Sequence, residues 1–132
     1  MITIADIINY IEEKSNIIIV DSYKDFLMQF LKLIKPVEFE CLLNDKIQLL
    51  CLDNLYNVID LSQMIALRSS YPELIENQLV FIGGFIGGES LCLGIGATNS
   101  GKIYYSDTDL YDFVEIAPDF ESFISLLNFP QC

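Results

Sequence analysis

Four short β-compatible runs crowd the second half of the chain, and no helical stretch separates them. QLVFIGG, SLCLGI, KIYYSD and FVEIA follow one another between residues 78 and 117, broken by clusters of Gly, Asn, Ser and Asp. Alternating apolar residues bounded by such breakers read as strands. Strands that follow one another this closely, without alternating with helices, pair mainly antiparallel. They exclude a doubly wound parallel sheet.

The first half supplies the helices. Ile4, Ile7, Ile8 and Ile11 recur at helical spacing behind Thr3, so a helix over about 4–14 with Thr3 as its N-cap is expected. Residues 16–20 form a short extended link. Ser22 to Asp25 reads as a capping-box variant that opens a second helix. That helix carries a stripe of Tyr23, Phe26, Leu27, Phe30, Leu31 and Ile34 and stops at Pro36. Its aromatics are expected in the core. VEFECLL and KIQLLCL, joined by Asn44-Asp45, read as a hairpin. LSQMIALRSS is a short helix closed by Pro72. A final helix starts with Pro118 in its first position, has Asp119 and Glu121 at its positive end, and carries a stripe of Phe120, Phe123, Ile124 and Leu127. The pattern predicts one α+β domain over residues 1–132, with helices packed on an antiparallel-rich sheet. It contains no repeat and no linker.

Charge narrows the function. The chain has 19 acidic and 7 basic residues, a net charge of −12. Residues 1–46 hold 8 acids and 5 bases, and residues 47–132 hold 11 acids and only Arg68 and Lys102 as bases. A field of this sign repels nucleic acid and anionic lipid. It attracts basic proteins and speeds their encounter. It also keeps a chain with 52% hydrophobic residues in solution, a role that needs no partner.

The chain has no histidine, so no Ser-His or Cys-His nucleophile is available. No acid pair stands out as a catalytic couple of the glycosidase kind. Catalytic, cofactor and metal sites are therefore all expected to be absent. Cys41, Cys51, Cys92 and Cys132 form no C-x-x-C pair, and the first three sit in apolar runs as small hydrophobes. The N-terminal stretch lacks the basic start and apolar run of a signal peptide, and the longest run without a polar side chain, 79–88, is too short to cross a bilayer. A reduced, cytoplasmic protein is expected.

Three motifs fail on inspection. Gly96 to Lys102 resembles a P-loop, but Ile103 stands where Mg²⁺ needs a Ser or Thr hydroxyl, and a β-type run follows instead of a helix. Gly83 to Gly88 lacks the G-x-G-x-x-G spacing of a dinucleotide fingerprint and reads as a turn or bulge. Asp107-Thr-Asp109 starts like a calcium loop, but Tyr111, Asp112 and Pro118 occupy its fifth, sixth and twelfth positions.

What remains is an acidic segment interleaved with tyrosines. Asp107, Asp109, Asp112 and Glu115 lie within nine residues, alongside Tyr105 and Tyr111. Tyrosine commonly anchors interfaces. Tyr104 and Tyr105 are neighbours in a strand and point to opposite faces, so one of them is expected in the core.

Four segments, in order, resemble the SUKH superfamily. Asp21 to Leu27 is similar to its P-x-x-Y-K-x-F-L helix start. Val80 to Gly84, continuing through Gly87-Gly88-Glu89 to Leu93, is similar to its glycine-rich hairpin. Gly101 to Asp107 is similar to its G-K-V-Y-Y-x-D strand, and Ile116 to Ile124 to its closing helix. The resemblance spans roughly 17–127. Val20-Asp21 replaces the proline before the second helix, and Leu31-Lys32-Leu33 replaces the Asn-Gly after it. It implies a SUKH-like α+β fold and an immunity role, in which the chain binds a cognate toxin with a basic cleft. The partner-binding candidates are Asp107, Asp109, Asp112, Glu115, Tyr105, Tyr111 and Glu89. The alternative is an adaptor or regulatory module with no toxin. The oligomeric state stays open.

Overall fold

The computed structural model describes residues 2–30, 32–33, 35–107 and 112–127. It has six strands in one sheet, ordered β1-β2-β3-β4-β5-β6, with each strand antiparallel to the next in sequence. The strands are β1 (Val37–Leu43), β2 (Lys46–Leu55), β3 (Leu79–Phe85), β4 (Ser90–Gly94), β5 (Ile103–Ser106) and β6 (Phe113–Ala117). The helices are α1 (Ile4–Ser15), α2 (Asp21–Gln29), α3 (Val58–Leu67), α4 (Pro72–Glu76) and α5 (Phe120–Leu127). The α+β architecture expected from the sequence is therefore the observed one.

Local chemistry sets the turns. Asn44 and Asp45 both adopt left-handed backbone, with φ of 51° and 66°. Two such residues make the tight loop whose twist suits a hairpin, and Asn and Asp tolerate that conformation best. Thr3 caps α1: its hydroxyl accepts from the Asp6 N–H while the Asp6 carboxylate accepts from the Thr3 N–H. Gly83 in β3 is forced by crowding, since a Cβ there would lie 2.5 Å from the Asn54 carbonyl oxygen of β2.

Two apolar layers cover the sheet. On one face α1, α2, α3 and α5 close over Val80, Ile82, Leu91, Leu93 and Ile103. Tyr23 and Phe120 meet edge-on at 4.9 Å in this layer, and Phe39 of β1 meets Phe123 of α5 at 5.8 Å. The two edge strands β1 and β6 approach one another, with α5 packed on both. On the other face a smaller cluster of Leu74, Leu79, Phe81 and Cys92 is covered by Tyr56, Met64, Tyr71, Tyr104 and Phe113. Arg68 ties this side together: its Nε donates to the Leu79 carbonyl at 2.7 Å and its Nη2 to that of Leu74 at 3.3 Å. One of the two bases of the second half is thus spent on structure.

The helix boundaries differ from the sequence reading in five places, one of them α3, which starts at Val58 behind an Asn57 capping box rather than at Leu61. The capping box at Ser22–Asp25 does not form; α2 begins at Asp21 behind Val20, with no side-chain cap. Its entry is fixed instead by Glu12, which accepts from the Ile19 N–H at 2.9 Å and pairs with Lys24 at 2.9 Å. The helix stops at Gln29, well before Pro36, because the chain must then cross to β1. Pro72 does not merely close α3; it opens α4, in the first-turn position that suits its missing N–H. α5 begins at Phe120, with Asp119 as its cap rather than Pro118 at its first position: the Asp119 carboxylate accepts from the Ser122 N–H at 2.7 Å. Leu31 and Ile34 of the second stripe lie outside the described residues. Among the described residues no helix is long and apolar enough to cross a membrane.

Candidate functional site

The sheet register brings three chain reversals to one end. β3 and β4 turn through 86–89, β5 and β6 are joined through 107–112, and the β1–β2 hairpin projects past the end of β3 on the same side. Ser90 pairs with Ser106, and Ser106 with Phe113, so the start of β4, the end of β5 and the start of β6 lie abreast.

Tyr105 sits near this end on the helix-covered side. It pairs across the sheet with Leu91 and Val114, and its ring lies 5.1 Å from that of Phe85. The residue stays partly exposed. Partial burial, with Glu89 and Asp107 adding negative charge, pushes its hydroxyl above the usual tyrosine range. Tyr104 points to the other face, onto the Leu79–Phe81 cluster, and is also half-buried. Neither tyrosine is therefore fully enclosed, and the two divide between the two apolar layers.

The sequence candidates separate into groups. Glu89, Tyr105 and Asp107 come together at the turn end, and Asp112 is exposed at the entry to β6. Glu115 does not join them. It lies opposite Tyr104 on the other face and pairs with Lys102 at 3.3 Å. Asp109 and Tyr111 fall outside the described residues.

The loop that resembles a P-loop spends its polar groups on itself. The Gly96 N–H goes to the Asn99 side chain at 2.8 Å, the Gly101 N–H to Gly94, and the Lys102 N–H to Asn99. Asn99 in turn donates to the carbonyls of Asn77 and Gln78. Lys102, the residue that would meet a phosphate, is taken by Glu115. The segment is a braced connection between two strands. Among the described residues no group of three or more acids or cysteines is placed to hold a metal ion.

Sequence periodicity missed one feature. Phe26 and Phe30, expected in the core, are only half-buried, and they stack at 4.6 Å along the wall of a groove between α2 and α5. The groove encloses about 500 Å³, with Phe120 and Ile124 opposite and Asp25 and Glu121 at its rim. A stripe pattern shows which residues share a helix face. It does not show where the partner helix stops covering them.

The SUKH_6 family model, described as SMI1-KNR4 cell-wall, matches residues 5–124. The chain belongs to the SUKH family. The match extends from the second residue of α1 into α5, so the SUKH domain takes in every strand and most of every helix. It includes the first helix, which the sequence resemblance had left out. Glu89, Tyr105 and Asp107 all lie inside the SUKH match, as does the α2–α5 groove. No curated protein matches this SUKH chain closely enough to count as a relative.

Proposed function

We propose that the chain is a non-catalytic protein-binding domain, acting in the cytoplasm as an immunity protein that neutralises a cognate toxin through its acidic end. The observation that carries this reading is the convergence of Glu89 and Asp107 on the half-buried Tyr105. Carboxylates around an amphipathic ring suit a basic partner: the acids speed encounter, and the ring supplies apolar area for the bound state. Asp112, exposed at the entry to β6, adds to this surface, and Glu115, paired with Lys102, contributes less. A toxin that acts on nucleic acid needs a basic cleft to hold phosphates. An acidic face of this kind occupies or shields such a cleft.

Capture from the native host, followed by mass spectrometry, tests the reading. The expected partner is a basic, toxic enzyme whose growth inhibition is relieved when this chain is expressed with it. Recovery of a non-toxic signalling or cell-wall protein instead would favour an adaptor role, to which the cell-wall description of the matching family model points.

A further inference from the structure

The outer face of the β1–β2 hairpin carries apolar side chains that the fold leaves uncovered. Strand alternation sends Phe39, Cys41, Leu43, Leu50 and Leu52 inward, where all are buried. The opposite face carries Glu38, Glu40 and Leu42 on β1 and Ile47, Leu49 and Cys51 on β2. In register, Leu42 faces Ile47, Glu40 faces Leu49 and Glu38 faces Cys51. Ile86 extends the row onto the β3–β4 turn, where its N–H bonds the Cys51 carbonyl at 3.1 Å. Leu42, Ile47, Leu49 and Ile86 are 57%, 73%, 63% and 62% exposed. Isolated exposed aliphatics are ordinary, but neighbours gathered on one sheet face mark an interaction surface.

The charges on this face all have one sign. Glu38 and Glu40 are exposed beside the aliphatics, and Glu38 and Asp53 lie close enough to help push the Cys51 thiol upward, after burial. Lys46, the hairpin's one base, pairs with Leu43 and so belongs to the inward-facing row. A second copy would bring the same carboxylates against themselves, which like-charge repulsion opposes.

We infer that this hairpin face is a docking surface for a protein segment presenting aliphatic side chains flanked by lysine or arginine. It lies on the sheet face opposite the Tyr105 ring, although both are near the same end of the sheet, and the two surfaces fail independently: Tyr105→Ala tests one, and Ile47→Ser with Leu49→Ser the other.

The probe is a fluorescein-labelled peptide of alternating lysine and leucine, with a lysine–serine peptide as its control. Binding is followed by fluorescence anisotropy and mapped by backbone amide shifts on the full chain. The lysine–leucine peptide is expected to move amides within 38–53 and at Ile86. The double serine variant should weaken it at least tenfold while melting like the parent, and Tyr105→Ala should leave it unchanged. Glu38→Gln with Glu40→Gln should weaken it and flatten its salt dependence. The inference is overturned if the peptide does not bind, if the lysine–serine control binds equally well, or if the shifts centre on Glu89, Tyr105 and Asp107 or on the α2–α5 groove. A concentration-dependent dimer in sedimentation, abolished by the double serine change, would replace the basic partner with a second copy and overturn it as well.

Discussion

Phe120→Ala probes the packing on which the helix layer depends. Phe120 is 2% exposed, and its ring lies edge-on at 4.9 Å from Tyr23 and 5.0 Å from Phe26. Truncating a buried phenylalanine costs about 3–5 kcal/mol, which includes the lost ring pairs and the void. Here the void opens toward the α2–α5 groove, so its walls relax and solvent enters. That places the expected cost in the lower half of the range, at about 3–4 kcal/mol. A chain of 132 residues is stable by roughly 7–20 kcal/mol at about 0.05–0.15 kcal/mol per residue. The variant should therefore fold but lose a substantial share of its stability, with Tm falling by roughly 10 °C. Urea denaturation followed by circular dichroism should give a lower midpoint at an unchanged slope. Phe30→Ala, half-buried on the groove wall, should cost clearly less. A loss below about 1 kcal/mol for Phe120→Ala would refute the inward placement of α5.

Three further outcomes follow from local geometry. Gly83→Ala drives a Cβ against the Asn54 carbonyl of β2, so it should lower the melting temperature sharply, whereas Gly84→Ala, whose Cβ would sit 3.7 Å from its nearest neighbour, should be far milder; equal melts would contradict the close approach of β2 and β3. Tyr23→Phe should hold stability within about 1 kcal/mol of the parent or raise it, since no described group bonds its buried hydroxyl, and a loss beyond about 2 kcal/mol in a urea titration would mean the hydroxyl is bonded. The Ser122 N–H holds the Asp119 carboxyl below its ordinary value of 3.8, so this cap stabilises fully above that pH and is lost as pH falls through the lower folded value; the gap in urea midpoint between parent and Asp119→Ala should be wide at neutral pH and close in acid.

Much of the fold was legible because its signals are local. The Asn44-Asp45 turn, the alternation in Val37–Leu43 and the breakers between β3 and β6 each specify their own geometry. The end of α2 was not legible. Phe30, Leu31 and Ile34 continue a helical stripe, yet the helix stops at Gln29. A helix advances about 1.5 Å per residue and an extended chain about 3.3 Å, so a helix through Ile34 would leave two residues to reach β1. That constraint comes from the sheet, not from the segment. The pairing of Glu115 with Lys102 is likewise a product of the β5–β6 register. Of the acids read together from 107–115, Glu115 lies on the other face with Lys102, and Glu89, distant in sequence, joins Asp107 beside Tyr105.

The proposal turns on the end of the sheet around Tyr105 meeting a basic partner. Surface plasmon resonance at two salt concentrations, against the protein captured from the native host, tests it most directly. Glu89→Gln with Asp107→Asn and Asp112→Asn should slow association and weaken its salt dependence, because the steering charges are screened over about 8–10 Å. Tyr105→Ala should mainly speed dissociation. Association and dissociation rates unchanged in both variants, at both salts and with normal melts, would contradict the claim and place the interface elsewhere.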